Sequence, residues 1–378
     1  MAKRTPAEVF PPGEFLKEEL EARGWSQFDL AEILGRYPRL INEIVVGKRS
    51  ITPETAHALG EAFGTSSRFW MNLESAYRLS LVNDDEDAAI SRRAQLYTYP
   101  VREMVRRGWI ESSTKHDVLE HQLLRFFRTD SIQNLPHLLH ATKKSDYRDL
   151  TPIQLAWLFR VHQLAEVQQV GSYSEKKLRN AVENFRLFLH ESEEIKLVPK
   201  ILADAGVRYL VVEGLLRSNI DGVCFWLNSN SPVIAMSLRY DRIDNFWFVL
   251  RHEIEHVLRR HGIDKEIVDS GLEGERALPE GPVSDEEKQA NRAGAEFCVP
   301  DEELNDFIAR VGPLYSAARI AKFAKRIEVH PGLVVGQLHN RKEIPFSHLR
   351  RFFVKIRQIV TETALTDGWG NIPQVRLP

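Results

Sequence analysis

Residues 246–258 read Phe246-Trp247-Phe248-Val249-Leu250-Arg251-His252-Glu253-Ile254-Glu255-His256-Val257-Leu258. Apolar side chains fall on all sides of this run, which predicts a buried helix within Asp241 to His261. On a helix, residues i and i+4 lie one above the other, so His252 and His256 can converge on one ion. Glu253 then sits beside the ion, placed to take a proton from water held there. A third ligand decides whether this H-E-x-x-H spacing carries chemistry. A histidine ten residues after the first would complete one known pattern, but that position is Gly262, Arg259 stands where that pattern needs glycine, and His261 is one residue out of step. Downstream, Glu287-Lys288-Gln289-Ala290-Asn291 opens a predicted helix running from about Ser284 to Phe297. Glu287 would complete a His₂Glu set with a fourth position left for water, the arrangement of a catalytic Zn²⁺. Asn291, one turn on, can reach back as a supporting partner.

Ahead of this helix lie three short β-branched or aromatic runs, Val207–Val212, Gly222–Leu227 and Pro232–Leu238, separated by turn residues; they predict three strands of a small sheet. The rest of the chain is helical in pattern. Residues 90–200 hold leucine and tryptophan anchors and one clear amphipathic helix, Glu175 to His190, with no recognisable chemical motif. Asn83-Asp84-Asp85-Glu86-Asp87 reads as an acidic, solvated linker.

The first eighty residues predict five short helices with tight punctuation. Phe15, Leu16, Glu19 and Leu20 belong to a helix closed by Gly24, and Ser26 with Asp29 forms a capping box for the next, whose stripe is Leu30, Ile33 and Leu34. Gly35 stops it, Pro38 opens a third helix with Leu40, Ile41, Ile44 and Val45, and Gly47 closes that one. Thr52 to Gly64 frames the fourth; Phe69, Trp70, Leu73 and Tyr77 mark the fifth. The second and third have helix-turn-helix spacing. Between Arg36 and Arg49 the cations Arg36, Arg39, Lys48 and Arg49 face Glu43 alone. That local excess suits a recognition helix in a DNA major groove, with Arg39 and Asn42 able to read base edges and Gln27, Lys48 and Arg49 placed for phosphates.

Composition sets the bounds around these motifs. The chain has 378 residues, 51 Lys+Arg against 53 Asp+Glu, and two cysteines. This length predicts two or three domains, and the near-zero charge excludes wholesale coating of a polyanion, so any DNA binding rests on a local basic surface. No apolar run is long enough to span a membrane, Met1–Pro6 has no hydrophobic signal core, and two cysteines build no disulfide framework, so a reducing cytoplasm is expected.

Two resemblances join these readings. Gly24–Ala31, Arg39–Thr52 and Gly64–Leu73 resemble the HigA-type antitoxin branch of the XRE, or Cro/repressor-like, helix-turn-helix family over about residues 8–80. This implies a five-helix, lambda-repressor-like bundle acting as a homodimer on a palindromic operator and repressing a toxin–antitoxin promoter. Phe225-Trp226-Leu227, Pro232-Val233-Ile234, Asp244–Phe248, His252–His256, Glu287–Asn291 and Cys298-Val299-Pro300 resemble the ImmA/IrrE metallopeptidase family over roughly 200–345. This implies a gluzincin-like zinc endopeptidase with His252, His256 and Glu287 as ligands and Glu253 as base. Glu255 departs from the small residue common in that family; as residue i+2 after Glu253 it points off the metal face. Cys298 reads as core, and Tyr240 and His330 as structural polar residues.

The expected fold is mainly α with a small α+β part: a DNA-binding bundle at 1–80, a helical connection at 81–200, a zincin-like metallopeptidase domain with a small sheet at 201–345, and an extension at 346–378. Three functions fit it. One is an antitoxin-type transcriptional regulator whose zinc domain senses or processes a partner. Another is a zinc endopeptidase cleaving a DNA-bound repressor. The third is an antitoxin-like binding protein in which the metal site is non-catalytic and the helical middle neutralises a toxin.

Overall fold

A computed structural model describes residues 10–81, 84–131, 150–263, 266–270, 272 and 284–368. They group into two compact units, Met1–Ala94 and Gln95–Pro378.

The first unit is built from α1 (Pro12–Arg23), α2 (Gln27–Leu34), α3 (Pro38–Val45), α4 (Pro53–Phe63) and α5 (Ser67–Ser80). Local chemistry sets each boundary. Ser26 Oγ accepts from the Asp29 amide while the Asp29 carboxylate accepts from the Ser26 amide, satisfying two otherwise orphaned donors at the start of α2. Thr52 Oγ1 and Ser66 Oγ cap α4 and α5 by accepting from the Thr55 and Phe69 amides, without a returning bond. Gly35 closes α2 at φ 59°, a left-handed conformation that strains any side-chain-bearing residue. Leu16, Leu20, Leu30, Ile41, Ile44, Leu59, Phe63 and Trp70 make the core, and Trp70 Nε1 donates to Thr65 Oγ1 at 2.9 Å. Ile33, expected in the apolar stripe of α2, is 50% exposed; Ala31 takes the buried position instead. α6 (Asp84–Leu96) follows, so Asp84–Asp87 open a helix rather than forming the expected loop, and Asn83 lies outside the described residues.

The second unit is organised by a five-stranded sheet: β1 (Arg208–Val211), β2 (Ile220–Trp226), β3 (Pro232–Met236), β4 (Ile267–Ser270) and β5 (Leu365–Thr366), in the order β4-β2-β3-β1-β5. β2 runs antiparallel to β3 and β4, while β1 is parallel to β3 and β5. Every residue of β2 and β3 is buried, which requires cover on both faces. Val223, Phe225, Val233 and Ala235 face a layer that includes α7 (Val101–Arg106), α8 (His116–Phe126) and α9 (Pro152–Val167). Cys224, Trp226, Ile234 and Met236 face the other layer, where α10 (Glu175–Arg186) and α11 (Val198–Asp204) pack with α12 (Ile243–Leu258), α13 (Asp285–Cys298), α14 (Asp301–Val311), α15 (Ala317–Arg326) and α16 (Pro331–Asn340). A short α17 (Arg357–Thr361) leads into β5. The amphipathic helix expected from Glu175 to His190 ends at Arg186.

α12 is buried nearly all round: Phe246, Trp247, Phe248, Val249, Leu250, Ile254 and Val257 are all in the core. Two glycines let its neighbours come close. A Cβ on Gly294 of α13 would lie 2.9 Å from the Phe248 carbonyl oxygen, and a Cβ on Gly222 of β2 would lie 2.0 Å from Glu253 Oε1. Among the described residues no helix is long and apolar enough to cross a membrane.

Candidate metal centre and nucleic-acid interface

α12 presents His252, Glu253 and His256 toward the sheet, each with no solvent exposure. The Nε2 atoms of His252 and His256 stand 3.1 Å apart. Glu287 reaches them from the first turn of α13, which Ser284 Oγ caps by accepting from the Glu287 amide at 3.2 Å. Its Oε1 lies 3.4 Å from His256 Nε2 and its Oε2 lies 3.5 Å from His252 Nε2. The sequence reading missed a fourth member. Asp269, on β4, places Oδ2 3.2 Å from His252 Nε2, and one donor atom from each of His252, His256, Asp269 and Glu287 lies within 4.8 Å of the others. The available signal was a carboxylate inside a β-branched strand, a position where aspartate is disfavoured.

Burial and charge act against each other here. Burial alone would lower the pKa of His252, but the Asp269 and Glu287 carboxylates outweigh it and push it up to about 10. Burial, with His252 and His261 nearby, pushes His256 down to about 4. Desolvation and the Asp269 carboxylate push Glu253 well above the usual carboxylate range. Burial would raise Asp269, yet the two histidines and Glu253 hold it down to about 2. Next to them Asp221 is pushed up to about 6, mainly by burial, with its Oδ1 2.9 Å from Arg239 Nε.

The donor set suits a divalent cation. His252 Nδ1 is buried with no hydrogen-bond partner among the described residues, and the Glu253 and Asp269 carboxyls are buried against each other. Three carboxyls and two imidazoles converge in a low-dielectric pocket, and the charge this cluster lacks is positive. Two imidazoles with carboxylates are zinc-type donors. His261 stands behind His256, the two Nδ1 atoms 3.0 Å apart, while Trp226 Nε1 donates to the His261 carbonyl at 2.8 Å. His261 therefore orients a histidine of the cluster instead of joining it.

Asn291 is half-buried one turn after Glu287, and among the described residues it has no hydrogen bond to the cluster. Glu255 points away and is clamped by Arg251 at 2.8 Å and Arg259 at 2.5 Å, which lower its pKa against the effect of burial. Cys298 is in the core. Tyr240 lies against Arg239 and Arg242, and His330 caps α16 by accepting from the Gly332 amide; neither belongs to the cluster.

In the first unit, α3 buries Ile41 and Ile44 and turns Arg39, Asn42 and Val46 to solvent. Arg39 is 89% exposed at its side chain and pairs with Glu43 at 2.8 Å; Arg49 pairs with the other oxygen of Glu43 at 2.7 Å. Asn42 Nδ2 donates to Gln27 Oε1 at 3.2 Å, joining the first residue of α2 to α3. Arg36 and Lys48 are exposed at either end of this face. The structure thus brings Gln27, Arg39, Asn42 and Arg49 into one exposed polar surface held by solvent-facing pairs. Such pairs contribute little stability and exchange readily for other partners.

Comparison with known proteins gives two family matches, a Helix-turn-helix model over residues 16–70 and an IrrE N-terminal-like domain model over residues 209–336. Virulence-associated protein I of Dichelobacter nodosus is 41% identical over 78 residues, 20% of this chain and 72% of that protein. The chain belongs to the helix-turn-helix family. It carries an XRE-type helix-turn-helix domain at its N-terminus together with an IrrE-like, metallopeptidase-like domain. The uncharacterized HTH-type transcriptional regulator YddM of Escherichia coli K12 is 30% identical over 87 residues, 23% of this chain and 90% of that protein. Among solved structures, the Pseudomonas aeruginosa antitoxin HigA with higBA promoter is 36% identical, covering 22% of this chain and 91% of that one, with a TM-score of 0.21.

Proposed function

We propose that the protein is a sequence-specific DNA-binding transcriptional regulator of antitoxin type, whose C-terminal zinc metallopeptidase-like domain senses or cleaves a partner protein. The observation that carries the DNA-binding half is the exposed α3 face, where Arg39 and Asn42 stand clear of the core on a helix-turn-helix shared with a transcriptional regulator. Arg39 reads guanine and Asn42 adenine in the major groove, while Gln27, Arg36, Lys48 and Arg49 hold phosphates. A homodimer on a palindromic operator is the arrangement this implies. The cytoplasm is the compartment in which such a protein meets DNA.

In the second unit His252, His256 and Glu287 hold the metal. When bound, Zn²⁺ supplies Lewis-acid polarisation of a peptide carbonyl and an acidified water. Glu253 manages the proton, its carboxyl group being buried beside the ligands. The partner is a toxin or a repressor. Domain limits near 80, 200 and 345 are part of the same reading.

The test is binding to DNA from the protein's own promoter region at several salt concentrations. The wild-type chain should bind specifically, and an Arg39→Ala/Asn42→Ala double mutant should lose about thirtyfold or more in specific affinity, because each base contact contributes roughly 1–3 kcal/mol. Unchanged affinity in the double mutant would remove α3 as the reading helix.

A further inference from the structure

We infer that Asp269 is a fourth protein ligand of the metal centre and closes it against water and substrate, an inference that rests on the metal-binding reading above. An ion with nitrogen ligands at about 2.0–2.1 Å and oxygen ligands at about 2.0–2.2 Å has tetrahedral corners about 3.3–3.6 Å apart. The contacts within the cluster are 3.1 Å between the two histidine Nε2 atoms, 3.2 Å from His252 to Asp269, and 3.4 and 3.5 Å from the histidines to Glu287. These four separations are close to the corner-to-corner distances of one coordination shell, and all four donor atoms lie within 4.8 Å of one another, near enough for one ion to draw together. His252, His256 and Glu287 fill three corners, and Asp269 Oδ2 takes the one that a peptidase keeps for water.

The fold delivers Asp269 there. In the β2–β4 ladder Asp269 lies opposite Gly222 and Val268 opposite Val223. Strand alternation turns Val268 to the α7–α9 layer and Asp269 to the α12 side. Gly222 has no side chain, so the space opposite Asp269 is taken by the Glu253 carboxyl. Glu253, the residue suited to handling a proton on water, thus faces the Asp269 carboxyl. A closed set of four protein ligands is the pattern of a structural site, whereas a catalytic site keeps one position open. Turnover therefore requires Asp269 to leave. β4 is an edge strand that among the described residues pairs only with β2, so withdrawing it breaks one ladder. The centre is latent as folded, and an event that displaces β4 opens it.

Cobalt(II) substituted into the full-length chain reports this through its visible absorption, and azide probes for an open position. Wild-type protein should bind cobalt in a tetrahedral spectrum that azide leaves unchanged. Asp269→Ala should take azide with a shift of the visible bands, and should release its metal to a competing chelator at about tenfold or more lower chelator concentration. Asp269→Asn provides a second variant, with circular dichroism as the check on folding. The wild-type response to azide is decisive even where a variant misfolds. A wild-type spectrum that shifts with azide would overturn the closure while leaving the metal centre intact. A wild-type chain that takes up no cobalt would overturn the metal reading and the closure together.

Discussion

The two functional surfaces of this chain are opposite in construction. On α3 the candidate side chains are outside: Arg39 is 89% exposed and among the described residues pairs with Glu43. In the second unit they are inside: His252, Glu253 and His256 have no solvent exposure, and Glu253 is buried against the Asp269 carboxyl. An exposed paired surface is ready to exchange its partners for a polyanion at little cost. A buried cluster with more carboxyls than imidazoles is costly unless a cation completes it. The first arrangement suits a transient partner, and the second suits a resident ion.

That contrast can be broken in the interior first. Gly222→Ala would drive a methyl group into the Glu253 carboxyl and should destabilise the second unit by about 1–3 kcal/mol, read as a lower midpoint in urea unfolding. A midpoint equal to wild type would mean that Glu253 has room to retreat and is not fixed beside the ligands. The bundle should respond less to a comparable change. Ser26→Ala removes one cap acceptor from α2 and should cost about 1 kcal/mol by the same measurement. A larger loss than Gly222→Ala would show that the bundle, and not the metal domain, is the more tightly constrained region.

Legibility in the sequence follows the same division. Helix limits in the bundle are set by neighbours a few residues apart, such as Ser26 with Asp29 or Gly35 after α2, so the chain announces them locally. Ile33 escaped because helical spacing alone does not say which edge of a stripe meets solvent. In the second unit, the i, i+4 spacing put His252 and His256 on one helix face, and the three principal strands were visible as apolar runs. Asp269 was not visible, because its place depends on the pairing of β4 with β2, which no local spacing encodes. β5 was missed for the same reason, as a two-residue strand aligned by its partner β1. Residues 95–167 carried no motif, yet α7, α8 and α9 help cover the second face of the sheet. Their signal lay elsewhere, in strands without a polar alternate position.

The most direct measurement is the metal content of the purified full-length protein beside that of His256→Ala. About one equivalent of zinc per chain is expected in the wild type and only a trace in the variant, because His256 supplies one of the converging Nε2 atoms. Wild-type protein free of metal, or equal zinc in both, would contradict the reading of this buried cluster as a metal centre.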